Sequence, residues 1–176
     1  MSTTNLVKKL LGLVEAQTAP QVGDTDTVRR IARQLESLPA EQARFLAAFA
    51  YVLGRVARAD LQVTEDESRA MERIVERLGA VSAEQATLVV EIAKSQNRLF
   101  GGTESYLVTR ELRSITSIEQ REAVMSCLFE VSAADGSISA TEENLIWEIA
   151  TELGLDRTDY VRIRSGWSEK RAVLKK

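Results

Sequence analysis

Two clusters of oxygen-bearing side chains, 75 residues apart, hold most of the chemistry this sequence offers. Asp135 is followed by Ser137, Ser139, Glu142 and Glu143, and Asp60 is followed by Thr64 and Glu67. Carboxylates and hydroxyls gathered around a turn can coordinate a hard divalent cation of the calcium or magnesium type. Asp135, Glu142, Asp60 and Glu67 therefore form a candidate ligand set, with Ser139 and Glu143 as further donors. The spacing is not that of an EF-hand, whose Asp-x-Asp-x-Asp-Gly run and distal bidentate Glu are missing. The same residues also have a second reading. Ser139-x-x-Glu142 and Thr64-x-x-Glu67 match the capping box, in which hydroxyl and carboxylate satisfy the orphan amides of a helix start. Asp60 and Asp135 can close Asx turns, and Gly136 can supply a positive φ beside one of them. Both readings stand on the residues alone.

Other chemistry is scarce. The 176 residues include no histidine and a single cysteine, Cys127. That removes the commonest general base, the commonest partner of a nucleophile and any Cys-based zinc site. Cys127 lies among Val124, Leu128 and Val131, the setting of an inert buried thiol. Gly101-Gly102 lacks the lysine and spacing of a phosphate loop. Arg55 and Arg58, which flank Asp60, read as snorkelling or ion-paired side chains. A non-enzymatic protein is expected, with a protein partner more fitting than a small-molecule substrate.

The elements that must position these residues are helices. Only 9 Gly and 2 Pro interrupt a chain that is 44% hydrophobic and 28% charged, a globular balance poor in breakers. Leu6, Val7, Leu10, Leu11 and Val14 mark a short amphipathic helix, and Thr18–Thr25 reads as a linker holding Pro20 and Gly23. Val28, Ile31, Ala32 and Leu35 mark a second helix, entered through Asp24 or Asp26 as N-cap. Pro39 suits the first turn of a third, running to about Ala59. Thr64, Ser82, Ser117, Ser139 and Asp156 are the expected openings of later helices, and Gly79 and Gly154 their expected stops. A helix with Tyr106, Leu107, Leu112 and Ile115 on its apolar side follows a flexible loop over Ser95–Thr103. Trp167 is expected to fold back as an anchor.

The longest apolar run, Phe45–Gly54, has ten residues and falls short of the ~20 that a membrane span requires. No secretory signal pattern opens the chain, so cytoplasmic residence is the expectation. The net charge is −3, yet Arg157–Lys176 holds seven Lys/Arg against two Asp/Glu. This basic end reads as a solvated tail, and no nucleic-acid partner is expected.

The second half repeats the first. Placing Asp60 on Asp135 also superposes Leu53 on Leu128, Val56 on Val131, Val63 on Ile138, Glu67 on Glu142, Ile74 on Ile149, Leu78 on Leu153 and Gly79 on Gly154. Helical periodicity alone does not match Asp, Glu and Gly. A helix pair cannot bury its apolar stripe by itself, so two stacked pairs share one core around Phe45–Val56 and Val124–Val131. The expected architecture is an all-α, single-domain bundle of eight to nine helices in two pseudo-symmetric halves. It divides into an N-terminal helix and linker (1–23), the helical domain (24–167, halves about 39–94 and 117–165) and a basic tail (168–176).

The run Leu128-Phe129-Glu130-Val131-Ser132-Ala133-Ala134-Asp135-Gly136-Ser137-Ile138, followed by Thr141-Glu142-Glu143 and Leu145-Ile146, resembles the TerB-like tellurite-resistance family. Arg58-Ala59-Asp60 and Thr64-Glu65-Asp66-Glu67 echo it in the first half. The resemblance covers roughly Phe45 to Trp167 and is greatest to short stand-alone bacterial members. It implies an all-helical fold of two similar halves, no established enzymatic activity, and a link to tellurite and other stress resistance. It further implies metal binding through acidic residues and work beside membrane-associated partners. A similar module on a membrane-anchored DnaJ-type co-chaperone points to an interaction domain, and a homo-oligomer is compatible with that role. One departure stands out: Leu61 occupies the place of Gly136, so a matching ion site in the first half is not implied.

Overall fold

A computed structural model describes residues 22–57, 63–96 and 105–171. The N-terminal amphipathic helix, Asp60, Arg58, Leu61 and the Gly101-Gly102 pair lie outside the described residues. Within them the chain forms eight α-helices: α1 (Val22–Glu36), α2 (Ala40–Val56), α3 (Glu65–Leu78), α4 (Ala83–Gln96), α5 (Ser105–Ile115), α6 (Ile118–Ala133), α7 (Ala140–Glu152) and α8 (Arg157–Ser165). A short 3-10 turn at Ser168–Lys170 follows. Among the described residues there is no strand, only one isolated parallel bridge between Ile138 and Arg171.

Two boundaries and one buried face differ from expectation. Helix α1 already includes Val22–Thr25, part of the expected linker, so Asp24 and Asp26 lie inside it and neither is its N-cap. Acids in early turns are favoured by the helix dipole, which offsets the poor propensity of Gly23. Helix α4 runs through Ser95 to Gln96, into the expected flexible loop. In α5 the apolar face is Val108 and Leu112, both buried, whereas Leu107 is 56% exposed.

The core is built on α2. Leu46 to Leu53 is buried without a break, as fits a helix apolar on all sides and surrounded by others. It packs against α4, α5, α6 and α7. The second central helix, α6, buries Val124, Met125, Cys127, Leu128 and Phe129. Each central helix meets the capped helix of the other half: α2 packs on α7, and α6 packs on α3. The halves therefore interleave rather than abut. No helix among the described residues is long and apolar enough to cross a membrane.

Candidate functional site

The loop between α6 and α7 and the first turn of α7 together carry the second acidic cluster. Its start is a tight turn: Asp135 is exposed, and its Oδ1 accepts from the Ser137 amide at 3.2 Å. Gly136 follows with φ of 102°, where a side chain would be strained though nothing stands within 4 Å of an added Cβ.

Ser139 then opens α7 as a complete capping box. Its Oγ accepts from the Glu142 amide at 3.2 Å, while Glu142 Oε2 accepts from the Ser139 amide at 2.8 Å and from its hydroxyl at 2.5 Å. The first half does the same. Glu67 Oε2 accepts from the Thr64 amide at 2.7 Å and its hydroxyl at 2.9 Å, and the Glu67 amide donates back to Thr64 Oγ1 at 3.2 Å. The amide bond from Thr64, then its hydroxyl, holds the Glu67 carboxyl below the ordinary carboxylate range.

Two further helices open in the same way with an uncharged residue in the glutamate's place. Gln85 Oε1 accepts from the Ser82 amide at 3.1 Å, and Gln120 Oε1 from the Ser117 amide at 2.9 Å. A neutral amide thus does at α4 and α6 what Glu67 and Glu142 do at α3 and α7. The geometry needs an acceptor oxygen and no negative charge.

Glu143 turns away from Glu142 and serves another purpose. Arg171 holds it bidentately, with Nε on Oε2 at 2.8 Å and Nη2 on Oε1 at 2.6 Å, and Arg164 Nη1 adds a third bond to Oε1 at 2.9 Å. Paired forks of this kind are stronger than single charged bonds. The bond from Arg171 holds the Glu143 carboxyl below its ordinary value of 4.5, against the opposing effect of burial. The matched residue of the first half is Ser68, whose Oγ accepts from Lys94 Nζ at 2.7 Å and donates to the Thr64 carbonyl. In each half the first turn of the capped helix is tied to the far end of the next helix.

Arg171 ends a segment that returns across the α6–α7 loop. Trp167 stacks on Phe129 at 5.4 Å with an interplanar angle of 15°, and its indole N–H donates to Glu130 Oε2 at 2.5 Å. The Ile138 amide donates to the Lys170 carbonyl at 2.8 Å. The expected anchoring by Trp167 is found. Ser168–Arg171, read as the start of a solvated tail, is docked because Glu143 supplies a partly buried acceptor for Arg171.

The candidate ligands are thus near in sequence but directed apart. Glu142 and Glu67 face their own helix starts, Asp135 its own turn, and Glu143 two arginines. Among the described residues no group of three or more His, Cys, Asp or Glu side chains is placed to hold a metal ion. The acids do not fit a shared cation as they stand, and Asp60 lies outside the described residues.

Two other places could do chemistry. Cys127 is buried and its thiol is pushed up to about 12 by burial, which leaves no reactive thiolate near neutrality. An open depression of about 480 Å³ is lined by Arg113, Trp147, Glu148, Thr151 and Glu152. Glu152 there is held by Arg55 at 2.7 Å, and Arg55 also donates to Thr109 at 3.1 Å.

Sequence reasoning missed Glu130, Arg77, Glu152, Arg164 and Arg171. The repeat contained the signal for three of them. The 75-residue offset sets Arg55 on Glu130 and Arg77 on Glu152, opposite charges at matched positions. A protein-family model described as tellurite resistance protein TerB matches residues 45–165. No curated protein and no solved structure gives a significant match.

Proposed function

The chain belongs to the TerB family of tellurite resistance proteins, and on that premise we propose that it is a non-catalytic interaction module of stress resistance whose acidic residues hold backbone and arginine side chains rather than an ion. The observation that carries this reading is the fourfold repetition of one helix-opening geometry, with Glu at two openings and Gln at the other two. A cation site requires the acids to converge and their charge to be used, and Glu67, Glu142 and Asp135 offer neither. The lack of histidine and the high thiol value of Cys127 favour a non-enzymatic role. The module works through a protein partner, in the cytoplasm, and a membrane-associated partner is compatible with it.

Affinity capture of the full chain from its own cells, with mass-spectrometric identification, tests the interaction. A partner enriched reproducibly over an unrelated helical bait is the expected result. Turnover of a phosphoester, ester or peptide panel by the purified chain, abolished by substitution of a described carboxylate, would place it among enzymes instead.

A further inference from the structure

The segment Trp167–Arg171 is held at points that read its chemistry, and the reading groups all belong to the body of the fold. Phe129 on α6 stacks on the indole, and Glu130 beside it takes the indole N–H. Ile138, on the loop into α7, gives its amide to the Lys170 carbonyl. Glu143, in the first turn of α7, takes the Arg171 guanidinium as a fork. Between the two anchors Ser168, Glu169 and Lys170 are all exposed, and the Lys170 carbonyl ties this stretch to the body through backbone. What is recognised is therefore an aromatic side chain, a carbonyl at the end of one 3-10 turn and an arginine four positions after the aromatic residue.

This recognition is local and separable. α6 and the start of α7 are fixed by the core, with Phe129, Leu128, Ile138 and Ile146 all fully buried. The segment itself follows α8 through exposed Gly166 and adds one isolated bridge, not a sheet. The segment meets the rigid body through one backbone bond and two side-chain anchors, the Trp167 ring and the Arg171 guanidinium, and the anchors carry the specificity.

We propose that Phe129, Glu130, Ile138 and Glu143 form a recognition groove for a partner segment carrying an aromatic residue and, one short turn later, an arginine four positions on, and that the chain's own Trp167–Arg171 occupies this groove in cis. The groove gives the interaction module its site and its partner's chemistry, and in that sense rests on the module reading. Occupation in cis makes the site self-inhibited. A partner segment gains access only to the fraction of molecules in which the strap is released, so its apparent dissociation constant scales inversely with that fraction.

The test uses the full chain and a fluorescein-labelled peptide spanning residues 165–172, followed by anisotropy. Arg171→Ala in the protein weakens the strap while leaving every receptor group in place. The peptide is expected to bind this variant at least about tenfold more tightly than it binds wild type, because each tenfold rise in the open fraction lowers the apparent constant tenfold. Adding Glu143→Gln to the protein, or replacing either Trp167 or Arg171 in the peptide by alanine, is expected to remove the gain. Equal binding to wild type and Arg171→Ala, or none to a folded Arg171→Ala, would overturn the proposal.

Should Arg171→Ala not fold, Trp167→Ala replaces it, since it opens the other end of the strap. Hydrogen exchange on wild type gives an independent reading through the Ile138 amide, which reports strap release. It is expected to exchange much faster than the amide of Ile146 in α7, and exchange as slow as that amide would also overturn the proposal. A wild-type dimer that loses its association on Trp167→Ala would assign the groove to a second copy of the chain, against a foreign segment. Partner capture that survives loss of peptide binding would leave the module reading standing and remove the groove alone.

Discussion

Arg55 and Glu152 meet at 2.7 Å across the two halves of the fold, and the repeat makes the same contact a second time with the charges exchanged. Arg55 corresponds to Glu130 and Glu152 to Arg77, and Arg77 meets Glu130 at 3.0 Å. The two pairs join α2 to α7 and α3 to α6, the two places where a central helix packs on the capped helix of the other half. Arg55 and Arg77 are both cations, so arginines at their equivalent positions would make both contacts repulsive, and the exchange to Glu130 and Glu152 makes both attractive.

The two pairs differ in exposure and so in expected strength. The Arg55 and Glu152 side chains are 12% and 11% exposed, while Arg77 is 63% exposed. Arg55→Met leaves a nearly buried carboxylate without its partner and is expected to cost about 3 kcal/mol. Arg77→Met removes a solvent-screened contact and is expected to cost under about 1 kcal/mol. Urea unfolding of both variants checks the difference, and equal losses would contradict it.

Helix openings supply the second prediction. Ser139→Ala removes the N-cap hydroxyl of α7 and is expected to lose about 1 kcal/mol. Glu142→Gln keeps an acceptor for the Ser139 amide, as Gln120 does at Ser117, and is expected to stay within about 0.5 kcal/mol of wild type. A large loss in Glu142→Gln, measured by thermal unfolding, would show that its charge has a use beyond the cap.

Much of the bundle is legible in the sequence. Thr64, Ser82, Ser117, Ser139 and Asp156 each open the helix expected of them, because an N-cap is local and joins two residues three apart. The core helices are legible for the same kind of reason: Phe45–Gly54 is too apolar to lie anywhere but inside. Long-range pairing is not. Glu143 looks like its neighbour Glu142 in sequence, yet its partners are 21 and 28 residues away, and only folding reveals which acid faces a cap and which an arginine. Leu107 misleads because a short helix on one side of a bundle buries a narrower stripe than its composition suggests.

Equivalent glycines need not do equivalent work. Gly154 has φ of 74°, and a Cβ there would also meet the Arg113 guanidinium at 2.5 Å. In the first half the positive φ falls one residue later, on Ala80 at 53°. Ala80→Gly is therefore expected to stabilise the protein by about 0.5–1 kcal/mol. Gly154→Ala is expected to destabilise it by more than Gly136→Ala, whose added methyl meets nothing. Melting temperatures of the three variants check the order.

Acid should release the strap. Glu143 is held as a carboxylate chiefly by Arg171, with Arg164 beside it and the Tyr160 ring packed nearby. Because its folded value lies below the ordinary 4.5, the clasp contributes its full stability above that range and loses it as the pH falls through the lowered value. Trp167 fluorescence in a Trp147→Phe background is expected to stay constant above about pH 5 and change below about pH 4.5. The same change centred near neutrality would assign the release to another group.

The central claim, that the acids hold backbone and arginine side chains and not an ion, is tested most directly by the melting temperature of the full chain with calcium and with magnesium. No shift beyond that of a matched ionic-strength control is expected, for wild type and Glu142→Gln alike. A rise in melting temperature at millimolar calcium or magnesium that Asp135→Ala or Glu142→Gln abolishes would contradict it.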